Sequence, residues 1–371
     1  MEFHDHVLDY LKWRGDLTFS DDGFNEIDAL VCAEISYINM EGIVPPVGYP
    51  STVTVENVYD AYQDKLARKE PVDMDVHEMR FLLALGKTRR YKDLLLSDYA
   101  RKIMDTRNGE KAMQFGAVCI HIHRFLHYIS FQGTDEEIVG WKENLNMLYQ
   151  FPIPSQTESL MYLNKVAKGP FKRYLVGGHS KGGNLAKYAS AFCRESLQKK
   201  IKTIYCFDAP GFPKNMMEYE GYARINDRIQ AYIPQDSMVG ILLEHAEGST
   251  IIHSQAEGIG QHDLESWSAT RDGFVYETER TAKSYRMEAT IEKWLHSFTE
   301  EELHEFSCVF CELITRAGIE TFPELMELHL KTVLSILKEM KHASAKEKEL
   351  VFRVVKALIV ESNSGRRKIR K

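Results

Sequence analysis

Between Phe24 and Asn39 the apolar residues Ile27, Leu30, Val31, Ile35 and Ile38 recur at mixed three- and four-residue steps. That spacing predicts an amphipathic helix, with Ser20 and Asp21 as capping residues ahead of it. A loop rich in Pro and Gly, Gly42 to Pro50, ends it, and Thr54 to Gln63 predicts a second helix capped by Thr54. Val76 to Arg107 carries the helical period again, with mixed charges outside, so the first hundred residues read as mostly α. The pattern changes near Lys111: Gln114–Ile122 and Phe125–Phe131 are rich in Val, Ile, Phe and Tyr and predict two adjacent strands. A helix at Ile138–Tyr149 and a Pro-rich turn at Phe151–Ser155 follow. Tyr174-Leu175-Val176, Thr203–Phe207 and Ile229–Ile233 then predict strands, with a helix over Gly183–Ser196. Strands alternating with helices imply a mainly parallel, covered sheet. After Tyr285 the period is helical throughout: Met287–Phe298, Thr299–Ala317 with Thr299 as cap and Glu302 three residues on, Phe322–Lys341 and Ala345–Val360. The resulting division is a helical region over 1–110, an α/β core over 111–284, and a helical region with a basic tail over 285–371.

Composition narrows the function classes. Of 371 residues, 44% are hydrophobic and 27% charged, ordinary for a globular chain with a sizeable core. The 47 basic residues are outnumbered by 54 acidic ones, a net charge of −7 that argues against a nucleic-acid partner. Six thinly spread cysteines do not form a disulfide framework. Cys308 and Cys311 make a lone C-x-x-C in an apolar helical stretch and read as packed thiols rather than a metal or redox site. The N-terminus lacks a basic segment followed by an apolar core, and no 18-residue apolar run occurs, so a soluble, cytoplasmic protein is expected. Five of the last seven residues, Gly365 to Lys371, are basic; this reads as a solvated end, with weak contact to an anionic membrane surface as the rival reading.

The chemistry concentrates at Gly178-His179-Ser180-Lys181-Gly182, a G-x-S-x-G placed between an apolar strand and a helix. In that setting a strained turn lifts a serine hydroxyl above the sheet, and glycines on either side let the backbone arms approach. The helix start beyond Ser180 also presents free N–H groups and a positive dipole end to a developing oxyanion. A serine nucleophile needs a base, and the base an orienting carboxylate, following in the order Ser, acid, His. Two acids fit. Asp236, in the open loop Pro234–Ser237 after the second following strand, is favoured over Asp208, which reads as a turn residue ahead of Ala209-Pro210-Gly211. Among four nearby histidines, His179, His245, His253 and His262, the favoured base is His262 in its polar, Gly-flanked loop.

Four blocks carry a family resemblance in the right order. Phe131-Gln132-Gly133-Thr134, followed by Trp141 and Asn144-Leu145, resembles the F-R-G-T signature of the fungal-type (class 3) lipases. Gly178 to Ala186 resembles their nucleophile elbow, Phe207–Gly211 their F-G-x-P, and Ile233–Val239 their acid loop. The whole chain is also similar to a bacterial branch of lipase-like proteins of unassigned function, sharing Asp28-Ala29-Leu30 and Gln261-His262-Asp263-Leu264. The resemblance implies an α/β-hydrolase fold and a Ser180–Asp236–His262 triad. It further implies an oxyanion hole from the backbone N–H groups of Lys181 and Thr134, with the Thr134 hydroxyl as a third donor. Lys181 replaces the usual Leu, Gln132 the usual Arg, and Glu143-Asn144-Leu145 the usual acidic pair; a Lys beside the nucleophile suggests a cationic mouth. The expected activity is hydrolysis of a carboxylic ester or lipid, without metal or organic cofactor. A non-catalytic binding module, an amide or thioester hydrolase and a membrane-peripheral phospholipase remain as alternatives, and the oligomeric state is left open.

Overall fold

The computed structural model describes residues 6–72, 74, 76–321, 336, 338–341, 343–354 and 356. Among them nine strands form one sheet in sequential order: β1 (Val53–Thr54), β2 (Leu95–Met104), β3 (Met113–His123), β4 (Leu126–Phe131), β5 (Arg173–His179), β6 (Ile201–Phe207), β7 (Ile229–Pro234), β8 (Ser249–Ile252) and β9 (Tyr276–Glu277). Strands β4 to β8 are parallel, flanked by antiparallel β1–β3 on one side and β9 on the other. The mainly parallel centre, covered by helices on both faces, is an α/β-hydrolase-like fold.

Period-two alternation sorts the core into two halves. On β6, Tyr205 and Phe207 face the helices that precede β2: α1 (Val7–Arg14), α2 (Glu26–Ile35), α3 (Val55–Ala67) and α4 (Val76–Lys87). Ile204 and Cys206 face the opposite way, toward α6 (Pro154–Val166) and α7 (Lys181–Phe192), which follow α5 (Ile138–Asn146). Residues Val118 and Ile120 of β3 join the first half, Ala117 and Cys119 the second, so a strand buried on both sides reads as a continuous apolar run. Short α8 (Glu195–Gln198) and α9 (Glu220–Ala223) complete the second layer, and α10 (Ala282–Leu295) and α11 (Glu300–Arg316) follow the sheet. Helix α11 joins α5 through Ile314 and Ile138. No helix of the described residues is long and apolar enough to cross a membrane.

Three expectations change. Helix α4 ends at Lys87, and Leu95–Met104 is strand β2 rather than helix, because the free edge of β3 offers it eight backbone pairings that outweigh its Leu, Ala and Lys content. Helix α2 is capped by Asn25, not by Ser20 or Asp21: the Asn25 side chain accepts from the N–H of Ile27 and Asp28, and Asp28 returns a bond to the Asn25 N–H. Helix α6 starts with Pro154 at its first turn, where only a turn was expected. The helix expected over Phe322–Lys341 lies mostly outside the described residues, and the basic tail lies wholly outside; the last expected helix is seen over 345–354.

The Asp28-Ala29-Leu30 signature has a structural job. Asp28 and Arg90 are both buried and form a two-pronged ion pair at 2.7 and 2.6 Å. The Tyr91 hydroxyl adds a donor to Asp28 at 2.5 Å, and Arg90 spends its other N–H groups on the carbonyls of Asp22 and Gly23. Removing one charge from such a pair strands the other, at a cost of about 3–5 kcal/mol. Asp28→Ala is therefore expected to lower the unfolding free energy by roughly that amount in urea titration.

Candidate active site

Strand β5 delivers Ser180 to a backbone conformation that non-glycine residues rarely hold, φ 56° and ψ −131°, before α7 begins at Lys181. Its N–H donates to the Phe207 carbonyl at 2.9 Å, which ties the elbow to β6. The glycines around it permit close approach: a Cβ on Gly178 would lie 2.4 Å from the Phe131 carbonyl oxygen, and one on Gly182 only 2.1 Å from it. The loop after β4, carrying Gly133 and Thr134, thus abuts the Ser180 turn.

His262 closes a short 3₁₀ turn, Gly258–His262, and its Nδ1 donates to Asp208 Oδ2 at 2.6 Å. Asp208 is fully buried at the end of β6, with a positive φ of 41°. Its other oxygen accepts from the Ser237 hydroxyl at 2.5 Å and the Gly240 N–H at 3.0 Å. With three donors on Asp208, the Nδ1–H of His262 is held by the carboxylate, which leaves Nε2 as the acceptor of the neutral ring. Ser180 and His262 line one cavity without a direct hydrogen bond between them.

The structure does not bring Asp236 to His262. Its side chain accepts from the Thr281 hydroxyl at the start of α10, and Lys283 Nζ lies 3.7 Å away. Its backbone N–H instead donates to the Gln261 side chain at 2.8 Å, steadying the turn that carries His262. Of the rival histidines, His245 bonds Glu247 at 3.3 Å and His253 bonds Ser268 at 2.9 Å. His179 is buried beside the site: its Nδ1 lies 3.1 Å from the Tyr37 hydroxyl and its ring 4.4 Å from that of His262.

Thr134 and Lys181 both line the cavity. As the first helical residue, Lys181 has no acceptor for its N–H within α7. The Thr134 hydroxyl donates to Asn144 Oδ1 at 3.0 Å and so serves the loop rather than an oxyanion. The expected cationic mouth is absent at Lys181: its side chain is buried, and Nζ donates to Glu143 Oε2 at 2.8 Å and to the Gln114 carbonyl at 2.9 Å. The cavity, about 520 Å³, has an apolar wall that includes Trp141, Met147, Leu148, Val239 and Leu242.

Residues 85–311, well over half of the chain, match the family described as Mbeg1-like. The chain belongs to the Mbeg1-like family. It is similar in structure to a protein titled "Crystal structure of M37 lipase", at 14% identity over 59% of this chain and 69% of that one, with a TM-score of 0.30. No curated protein matches the sequence. The Mbeg1-like segment holds Thr134, Ser180, Asp208 and His262, whereas Tyr37 and Glu34, which also line the cavity, lie ahead of it.

Burial, with the neighbouring His262 adding, keeps the His179 of this Mbeg1-like chain neutral, well below the usual imidazole range. An unfolded chain protonates it near pH ~6.5, so below that the unfolded state binds the extra proton and stability falls as pH falls. Urea unfolding between pH 7.5 and 5 is expected to show this loss. In His179→Gln the slope should be shallower by up to ~1.4 kcal/mol per pH unit.

Proposed function

We propose that this protein hydrolyses carboxylic esters through an acyl-enzyme, with Ser180 as nucleophile, His262 as general base and Asp208 as its orienting carboxylate. One observation carries the reading: the strained Ser180 turn opens on the same cavity as a histidine whose Nδ1 is held at 2.6 Å by a buried carboxylate. In this mechanism Ser180 Oγ attacks the ester carbonyl carbon while His262 Nε2 takes its proton. The backbone N–H groups of Lys181 and Thr134 receive the negative charge on the carbonyl oxygen. The proton held by His262 passes to the departing alcohol oxygen. Water, deprotonated by the same Nε2, then releases the acid and restores Ser180. The apolar wall favours the acyl part of an ester or lipid over a charged one.

Labelling with a fluorophosphonate probe and turnover of p-nitrophenyl acyl esters test the proposal. Ser180→Ala is expected to lose both; folded wild-type protein that takes up no label would favour the non-catalytic alternative. A cationic mouth no longer supports a phospholipase reading, since the Lys181 charge is neutralised inside the protein.

A further inference from the structure

At the opposite end of the parallel strands, three metal-ligating side chains converge. Cys119 and His121, two residues apart on β3, leave the sheet on the same face, and His127 on β4 is the direct cross-strand partner of His121. One donor atom from each lies within 4.8 Å of the other two, and among the described residues this is the one such cluster. Cys119 Sγ and His127 Nδ1 are 3.6 Å apart, and the two imidazoles stack with centroids at 4.1 Å. Tetrahedral zinc, with bonds of about 2.3 Å to sulfur and 2.0 Å to nitrogen, requires ligand separations of roughly 3.3–3.6 Å. The Cys–His pair already meets that requirement, and the His121 donor lies within 4.8 Å of both.

We propose that Cys119, His121 and His127 form a site for one zinc-class divalent ion, with a water as the exchangeable fourth ligand. The donor set, one thiolate and two imidazoles, suits a borderline-soft cation and not calcium or magnesium. A supporting layer is present: Ser97 Oγ lies 2.9 Å from His121 Nε2 and donates to Asp98 Oδ2 at 2.8 Å, a relay of the kind that orients ligating histidines. Access comes through His121, which is partly exposed while the other two are buried. Asp98 and Lys172 face the cluster with opposite charges.

The site would clamp the β3–β4 hairpin. Strand β4 runs four residues from His127 to Phe131, roughly 13 Å, and then delivers the Gly133–Thr134 loop to Ser180. The ion therefore stiffens one wall of the candidate active site without touching it.

Cobalt(II) is the probe, since a thiolate ligand gives it a near-ultraviolet charge-transfer band and tetrahedral geometry gives strong visible bands. The full chain, stripped of metal and kept reduced, is expected to bind one equivalent with both signatures and to release it to zinc. Cys119→Ser should lose the charge-transfer band, and His127→Gln should weaken binding at least tenfold. A Cys308→Ser, Cys311→Ser double variant should bind like wild type, and so should Ser180→Ala, which separates this outcome from the fate of the ester-hydrolase reading. Zinc should raise the thermal midpoint of wild type by several degrees and leave that of Cys119→Ser unmoved; if Cys119→Ser does not fold, His127→Gln supplies the comparison. Absence of bands in wild type, or a charge-transfer band that survives in Cys119→Ser, overturns the proposal.

Discussion

Asp208→Asn is expected to lower kcat for ester cleavage by about 10⁴-fold, the loss known when a triad aspartate becomes asparagine on another fold. An asparagine places either an amide N–H or a neutral oxygen against His262 Nδ1, so the imidazole loses the partner that fixes its tautomer and stabilises its protonated form. The Ser237 hydroxyl and Gly240 N–H, both aimed at Asp208 Oδ1, would hold the amide oxygen there and turn its NH₂ toward the histidine. Asp236→Asn touches the Thr281 and Lys283 contacts and leaves the backbone bond to Gln261 in place, so a loss under about tenfold is expected. Steady-state kinetics on one ester decide it: a larger loss in Asp236→Asn than in Asp208→Asn would return the acid's role to Asp236.

Lys181→Leu, which restores the residue of the lipase signature, should destabilise this protein by about 3–5 kcal/mol. Glu143 would be left charged and buried; its oxygens would keep only the N–H groups of Gln114 and Ser155 as donors. Pairing it with Glu143→Gln removes the stranded charge and keeps an acceptor oxygen for one of those two amides, so the double variant should regain part of the loss. Chemical unfolding of both single variants and the double yields the coupling directly, and an additive result would show that the pair contributes nothing. Lys181 and Glu143 are the two departures from the lipase signature that the structure brings together, as halves of one ion pair spanning α7 and α5.

That Ser180 and His262 line one cavity was legible in the sequence because the signals are local: a strand, two glycines and a helix around the serine, and a polar loop around the histidine. The carboxylate that His262 meets was not. Asp208 and Asp236 end adjacent strands, and which carboxylate reaches His262 depends on a left-handed backbone step at Asp208 that no spacing encodes. The direction of the Lys181 side chain was equally hidden, since it is set by Glu143 38 residues earlier. Strand β2 was misread for a related reason, as its hydrogen-bonding partner lies in the next segment rather than in its own period. Helix α11, by contrast, carries its cap in plain view, with Thr299 and Glu302 reciprocally bonded, whereas α10 starts at Ala282 behind Thr281, ahead of the expected Met287.

The family match begins at residue 85, yet the protein cannot be divided there. Asp28, the partner of Arg90, and Tyr37, the partner of His179, both lie upstream, as does α2, which covers one face of the sheet. The segment matched by the family is thus smaller than the unit whose parts pack together. A chain trimmed to 85–311 would expose Tyr128, Leu175 and Tyr205 to water and strand the buried guanidinium, so it should be recovered as aggregate. Swapping segments with other Mbeg1-like proteins would have to carry the first 84 residues along, because inheritance and cooperativity draw their borders in different places.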